Sequence, residues 1–318
     1  MSFRRLALVF SSVALVLSVG SMSAAQAAPK PLPVPYTFLT SAVIAGLGVD
    51  ADPPGANNWK CKPSKAHPRP VVLMHGILGN KATNWATFAP LLANNGYCVF
   101  AMTYGQSPLL PAPASELFGG LIAIEKSAIQ LKAFAAKVRK ATGASQIDIL
   151  GHSEGTVVPD YYAKFLGGGK YIHAYVSLAP LWRGTTTAGV SRLMALGTPF
   201  GASAGFTSAL DPLIAPFTEM SADSAFIKKL RSGGTPAVKG IKYTNIVTKY
   251  DELVSPYTSG IQSGMTNHVV QDYCAKDRTE HFEIASDPVA ADLVLNALDP
   301  AHPRPVPCRL VLPFVGSF

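Results

Sequence analysis

The chain has 318 residues, with 27 Lys and Arg against 19 Asp and Glu for a formal net charge of +8. Hydrophobic residues make up 48% and charged residues 14%, which excludes a disordered chain and allows a large core. The 27 Gly and 26 Pro fall short of low-complexity composition.

Arg4 and Arg5, the apolar run Leu6–Gly20 and the small-residue site Ala25-Gln26-Ala27 read as a signal peptide over residues 1–27. The run is too short for a transmembrane anchor. A secreted, extracellular protein is therefore expected. Residues 28–60 read as an extended lead-in, stiff over PKPLPVP at 29–35. A single domain is expected over 61–318.

Val71–Met74 is a short apolar run suited to a strand buried on both faces. Residues 83–95 predict a helix with Trp85, Phe88, Leu91 and Leu92 on one side, closed by Asn95-Gly96. Tyr97–Met102 predicts a second strand, and 105–120 is irregular. Helical spacing of Ile124, Ala128, Leu131, Ala135 and Val138 predicts a helix over 121–142 that ends at Gly143. Its Lys126, Lys132, Lys137, Arg139 and Lys140 read as a wet face. A third strand at Ile147–Leu150 and a helix at 154–166 follow. Gly167-Gly168-Gly169 is a turn without phosphate-loop spacing. Strands at 172–178 and 241–248 and a helix at 288–298 complete the alternation. The stretch 181–240 reads as an irregular cap or insertion over one end of the sheet. This order predicts an α/β fold, a mostly parallel central sheet flanked by helices.

Gly151-His152-Ser153-Glu154-Gly155 is a G-x-S-x-G sequence between a strand and a helix. That context makes it a nucleophile elbow, with Ser153 held at a sharp turn. The base follows downstream. Among His173, His268, His281 and His302, His281 stands in a loop before the last helix and is chosen, with His268 as the alternative. The acid belongs at a strand end, which selects Asp251, with Glu252 next. Asp272 and Asp277 lie too near the base in sequence. Backbone N–H groups of Glu154 and Ile77, the latter in the loop His75–Gly79 after the first strand, are the expected oxyanion donors. His75 is expected to pack or hydrogen-bond without moving a proton. The stretch Ser107–Pro111 with Leu117, Phe118, Leu121 and Ile122 is expected to line or cap an acyl groove.

The four cysteines, Cys61, Cys98, Cys274 and Cys308, suggest two disulfides in an exported protein, with three pairings open. Their spacing does not suggest a metal site. Neither metal nor cofactor is expected. Nucleic-acid binding is set aside because basic residues lack aromatic interleaving and zinc-finger spacing.

The segments HGILGN (75–80), NWATFAPLLANNGYCVFAMTYG (84–105), GHSEGT (151–156), LGTPF (196–200), YDELVSPY (250–257) and EHFEIASDP (280–288) resemble the secreted bacterial triacylglycerol lipases and esterases of the α/β-hydrolase superfamily. The resemblance runs from about Cys61 to Cys308, nearly all of the chain after the leader. It implies Ser153, Asp251 and His281 as a catalytic triad, Ile77 and Glu154 as oxyanion donors, and disulfides Cys61–Cys98 and Cys274–Cys308. It also implies a serine ester hydrolase, foremost a triacylglycerol lipase working through an acyl-enzyme, with an acyltransferase or short-chain carboxylesterase as the alternative. An ester or lipid substrate and a monomer are expected. The acidic Glu154 departs from the neutral residue many relatives carry after the nucleophile.

Overall fold

The computed structural model describes residues 30–197 and 211–317. The expected signal peptide and residues 198–200 of the LGTPF segment lie outside them. Nearly all of the described residues fall in one unit, Leu32–Phe318.

The chain runs α1 (Phe38–Gly46), β1 (Val71–Met74), α2 (Lys81–Asn84), α3 (Phe88–Asn94), β2 (Val99–Met102), α4 (Ala114–Leu117), α5 (Ile124–Thr142), β3 (Ile147–His152), α6 (Val158–Phe165) and β4 (Ile172–Leu178). It continues through α7 (Thr187–Gly197), α8 (Asp211–Glu219), α9 (Ala225–Leu230), β5 (Lys242–Val247), β6 (Thr266–Val269), α10 (Val270–Tyr273) and α11 (Pro288–Leu298). Among the described residues, six strands form one sheet in the order β2-β1-β3-β4-β5-β6, and every neighbouring pair is parallel.

Side-chain alternation explains why β1 is apolar throughout. Val72 and Met74 enter the core on one face with Leu131 of α5 and Val158 of α6. Val71 and Leu73 enter the other with Phe88 of α3 and Val294 of α11. A parallel sheet covered on both faces requires such strands. The chain leaves β1 toward β2 and returns to β3 on the opposite side, so the loops after β1 and β3 diverge at a crevice. Sites in open α/β sheets form at that kind of crevice.

Several expectations need correction. The lead-in over 28–60 is not extended throughout, because Phe38–Gly46 is helical. Its first amide finds a carboxylate acceptor 245 residues away, a partner no local pattern reveals. The helix expected over 83–95 is two, α2 and α3, broken at Trp85–Thr87. Asn84 turns inward there to accept the Gly76 N–H at 3.1 Å. The strand β6 carries the polar sequence TNHV on the sheet edge and lacks an apolar signature. The segment after Ser153 opens as a 3-10 turn, Ser153–Thr156, before α6 begins. Within 181–240, α7, α8 and α9 give the expected cap regular helices.

Disulfides join Cys61 to Cys98 and Cys274 to Cys308, with Cα separations of 5.8 and 4.8 Å. The first ties the loop before β1 to the start of β2. The second ties the end of α10 to the C-terminal tail.

Candidate active site

Ser153 follows β3 directly, with φ of 55°. This left-handed conformation is costly for a residue with a side chain and persists where packing enforces it. The enforcement is visible on either side. A Cβ on Gly151 would strike the Gly155 carbonyl, and one on Gly155 would strike the carbonyls of Met74 and His75. Only glycine lets strand, turn and helix approach so closely.

Asp251 and His281 reach Ser153 from the loops beyond β5 and β6. The Ser153 Oγ lies 2.9 Å from His281 Nε2. His281 Nδ1 lies 2.9 and 3.0 Å from the two Asp251 oxygens. Asp251 Oδ1 also accepts the N–H groups of Leu253 and Val254 at 3.0 and 2.7 Å, which fixes the carboxylate. Ser153 is 3% exposed and His281 2%. Burial pulls the His281 pKa down, but the facing Asp251 carboxylate, with Glu252 and Glu280 nearby, outweighs it, and the net shift is upward.

The His75–Gly79 loop sits against the serine, since a Cβ on Gly76 would stand 3.1 Å from Ser153 Cβ. Among the described residues, no backbone carbonyl accepts the Ile77 N–H. The Glu154 N–H belongs to the first turn of its helix, where donors lack intrahelical acceptors. Leu78 donates to the Gly119 carbonyl at 2.9 Å and Gly119 to the Gly79 carbonyl at 2.8 Å, clamping this loop. His75 supports it as expected. Its Nδ1–H donates to the Gly76 carbonyl at 2.8 Å, and its Nε2 accepts the Tyr104 N–H at 3.2 Å. Burial lowers its pKa to about 4.

The other candidates lie elsewhere. His268 is on edge strand β6, with Nδ1 2.7 Å from the Tyr273 hydroxyl. His173 is on β4, and His302 pairs with Asp299 on the surface. Glu252 does contribute, accepting the His281 N–H at 3.2 Å.

The serine opens into an apolar cavity of about 500 Å³. Of the stretch expected to form an acyl groove, Leu117 and Phe118 line it. Leu121 is core, and Leu109 is exposed. Further apolar wall comes from α1, from Leu193 and Leu196 of α7, and from Ile77, Leu78, Leu253 and Phe282. Motif reasoning missed α1, although the uncharged run Tyr36–Val49 was a visible signal. It also missed His152, whose Nε2–H donates to the His281 carbonyl at 2.8 Å. Burial, then the neighbouring His281, lowers the His152 pKa to about 3, so this support stays neutral.

A parallel sheet with a serine elbow and an apolar cavity at its crevice defines an α/β-hydrolase of the lipase and esterase kind. The lipase (class 2) family model matches residues 68–294, and the chain belongs to that family. It is similar to gastric triacylglycerol lipase of Bos taurus, at 34% identity over 102 residues covering 28% of this chain and 25% of the relative. The chain thus matches about a quarter of that relative's length. Among solved structures it resembles Aspergillus fumigatus lipase B, with a TM-score of 0.58 and 19% identity over 80% of this chain and 57% of that one. It also resembles Bacillus licheniformis lipase BlEst2 in mature form, with a TM-score of 0.51 and 14% identity over 75% of this chain and 93% of that one. At these identities the structures speak for the fold alone.

Proposed function

We propose that this protein is a secreted serine ester hydrolase acting on triacylglycerols and related esters through an acyl-enzyme on Ser153. The observation that carries the reading is the unbroken path from Ser153 Oγ through His281 to Asp251, with both links at 2.9 Å. Ser153 Oγ attacks the ester carbonyl carbon as its proton passes to His281 Nε2. Asp251 holds Nδ1–H and stabilises the imidazolium. The N–H groups of Ile77 and Glu154 receive the oxyanion. Collapse breaks the bond to the alkoxy oxygen, and the alcohol leaves with the proton from His281. Water, deprotonated by His281, then attacks the acyl-enzyme, and Ser153 regains its proton.

The apolar cavity and the gastric lipase similarity support a lipid ester as substrate. The leader sequence and the two disulfides support secretion. The test is a panel of p-nitrophenyl esters and emulsified triglycerides. Ser153→Ala should lower kcat by on the order of 10⁶ while the fold survives. Undiminished turnover would refute the mechanism. Collapse of wild-type activity beyond roughly six acyl carbons would refute the lipid substrate, because a cavity of this kind should accommodate a longer chain.

A further inference from the structure

We propose that Glu283 is a positioning residue that holds α1 as the acyl wall of the cavity and thereby sets the acyl length the enzyme prefers. The proposal rests on the ester-hydrolase reading above. The Phe38 N–H, at the start of α1, donates to both Glu283 oxygens, at 2.9 and 3.1 Å. Thr37, the residue in the capping position, makes no side-chain cap, and the first turn of α1 holds no acidic residue. A carboxyl group from elsewhere therefore supplies the acceptor the helix start lacks.

This tie fixes the start of a short helix that otherwise packs on α2 and leaves much of its outer surface exposed. Nine residues are too few for a helix to stand alone. Ser41 is its one buried residue, while Val43 is 70% exposed and Ile44 65%. The Phe38 ring packs on Phe282 at 5.8 Å and His152 at 6.3 Å. Phe38, Leu39, Ala42 and Val43 face the cavity. One run of chain thus supplies the base at His281, cavity wall at Phe282 and the anchor of α1 at Glu283. The carboxylate itself bonds α1 and no triad atom, so its removal should be felt through the wall. An acetyl group ends near the serine, whereas a longer chain must extend along the cavity.

The experiment compares kcat/KM for p-nitrophenyl octanoate and acetate in the full chain. Glu283→Ala should lower the octanoate-to-acetate ratio about tenfold, chiefly through the octanoate KM, the worth of roughly two methylenes losing their contacts. Glu283→Gln, which keeps an acceptor oxygen, should recover most of the ratio. Parallel losses on both esters, or an unchanged ratio, would overturn the proposal. If Glu283→Ala does not fold, Ala42→Trp provides the decision. Bulk on the same wall must lower the same ratio, and a ratio that holds would overturn the assignment of α1. Failure of the ester-hydrolase reading is distinguishable, since the wild type would then hydrolyse neither ester.

Discussion

Replacing Gly155 with alanine perturbs the elbow without altering a reacting group. A Cβ there would lie 2.5 Å from the His75 carbonyl oxygen and 2.6 Å from the Met74 carbonyl carbon. Ordinary contact begins at 3.4 Å, and the Met74 carbonyl oxygen would lie closer still, so relief requires a displacement of more than about 1 Å. Met74 ends a fully buried strand that is hydrogen-bonded on both sides, so the elbow yields more readily than β1. Ser153 moves with it, and the 2.9 Å link to His281 lengthens toward ~4 Å. A misplacement of that size costs about 10²-fold in rate. Overpacking adds about 1–3 kcal/mol of destabilisation. The assay pairs kcat/KM on p-nitrophenyl butyrate with a thermal melt. Wild-type kinetics in Gly155→Ala would refute the argument, whether or not the melting temperature falls.

Two further substitutions test the electrostatics. Asp251→Asn should lower kcat by on the order of 10⁴, because the amide no longer enforces the required imidazole tautomer. It should also move the acidic limb of the pH profile downward, since the Asp251 charge helps raise the His281 pKa and the base must be neutral to act; a limb that stays in place would contradict this. Asp160 is fully buried, and desolvation raises its pKa from 3.8 to about 7. Its folded-state pKa exceeds the unfolded one, so its contribution to stability is fully present below pH ~4 and is lost as pH rises toward about 7, by on the order of 4 kcal/mol. Asp160→Asn should flatten that decline in denaturant titrations at pH 4, 5.5 and 7; an unchanged slope would exclude Asp160 as its source.

The parts legible in the sequence were those with local causes. Val71–Met74 announces a buried strand because both faces are apolar, and the elbow follows from glycines flanking Ser153 after another such strand. Asp251 could be chosen because an acid just beyond a strand end lies on the catalytic edge. The missed parts depend on distant partners. Nothing near Phe38 reveals that Glu283 will accept its N–H. Trp85 satisfies a helical pattern, yet recruitment of Asn84 by Gly76 ends α2 before it. His152 reads as a spacer within the motif until its ring meets the His281 carbonyl.

Glu154 raises the remaining electrostatic problem, since a negative charge beside the oxyanion would oppose the proposed reaction. Its side chain is fully buried, and burial, reinforced by Glu219, raises its pKa well above the usual carboxyl range. That shift favours the uncharged carboxyl, while the backbone N–H remains available to the oxyanion. The acidic groups around His281 have the opposite consequence. Asp251, Glu252 and Glu280 favour the imidazolium that forms as Ser153 attacks. Farther along the same segment, burial and mutual proximity raise the pKa of Asp287 in its pair with Asp277, which limits the negative charge collected there. The chain can carry many carboxyl groups near one serine because burial leaves charge where a cation develops and suppresses it where an anion does.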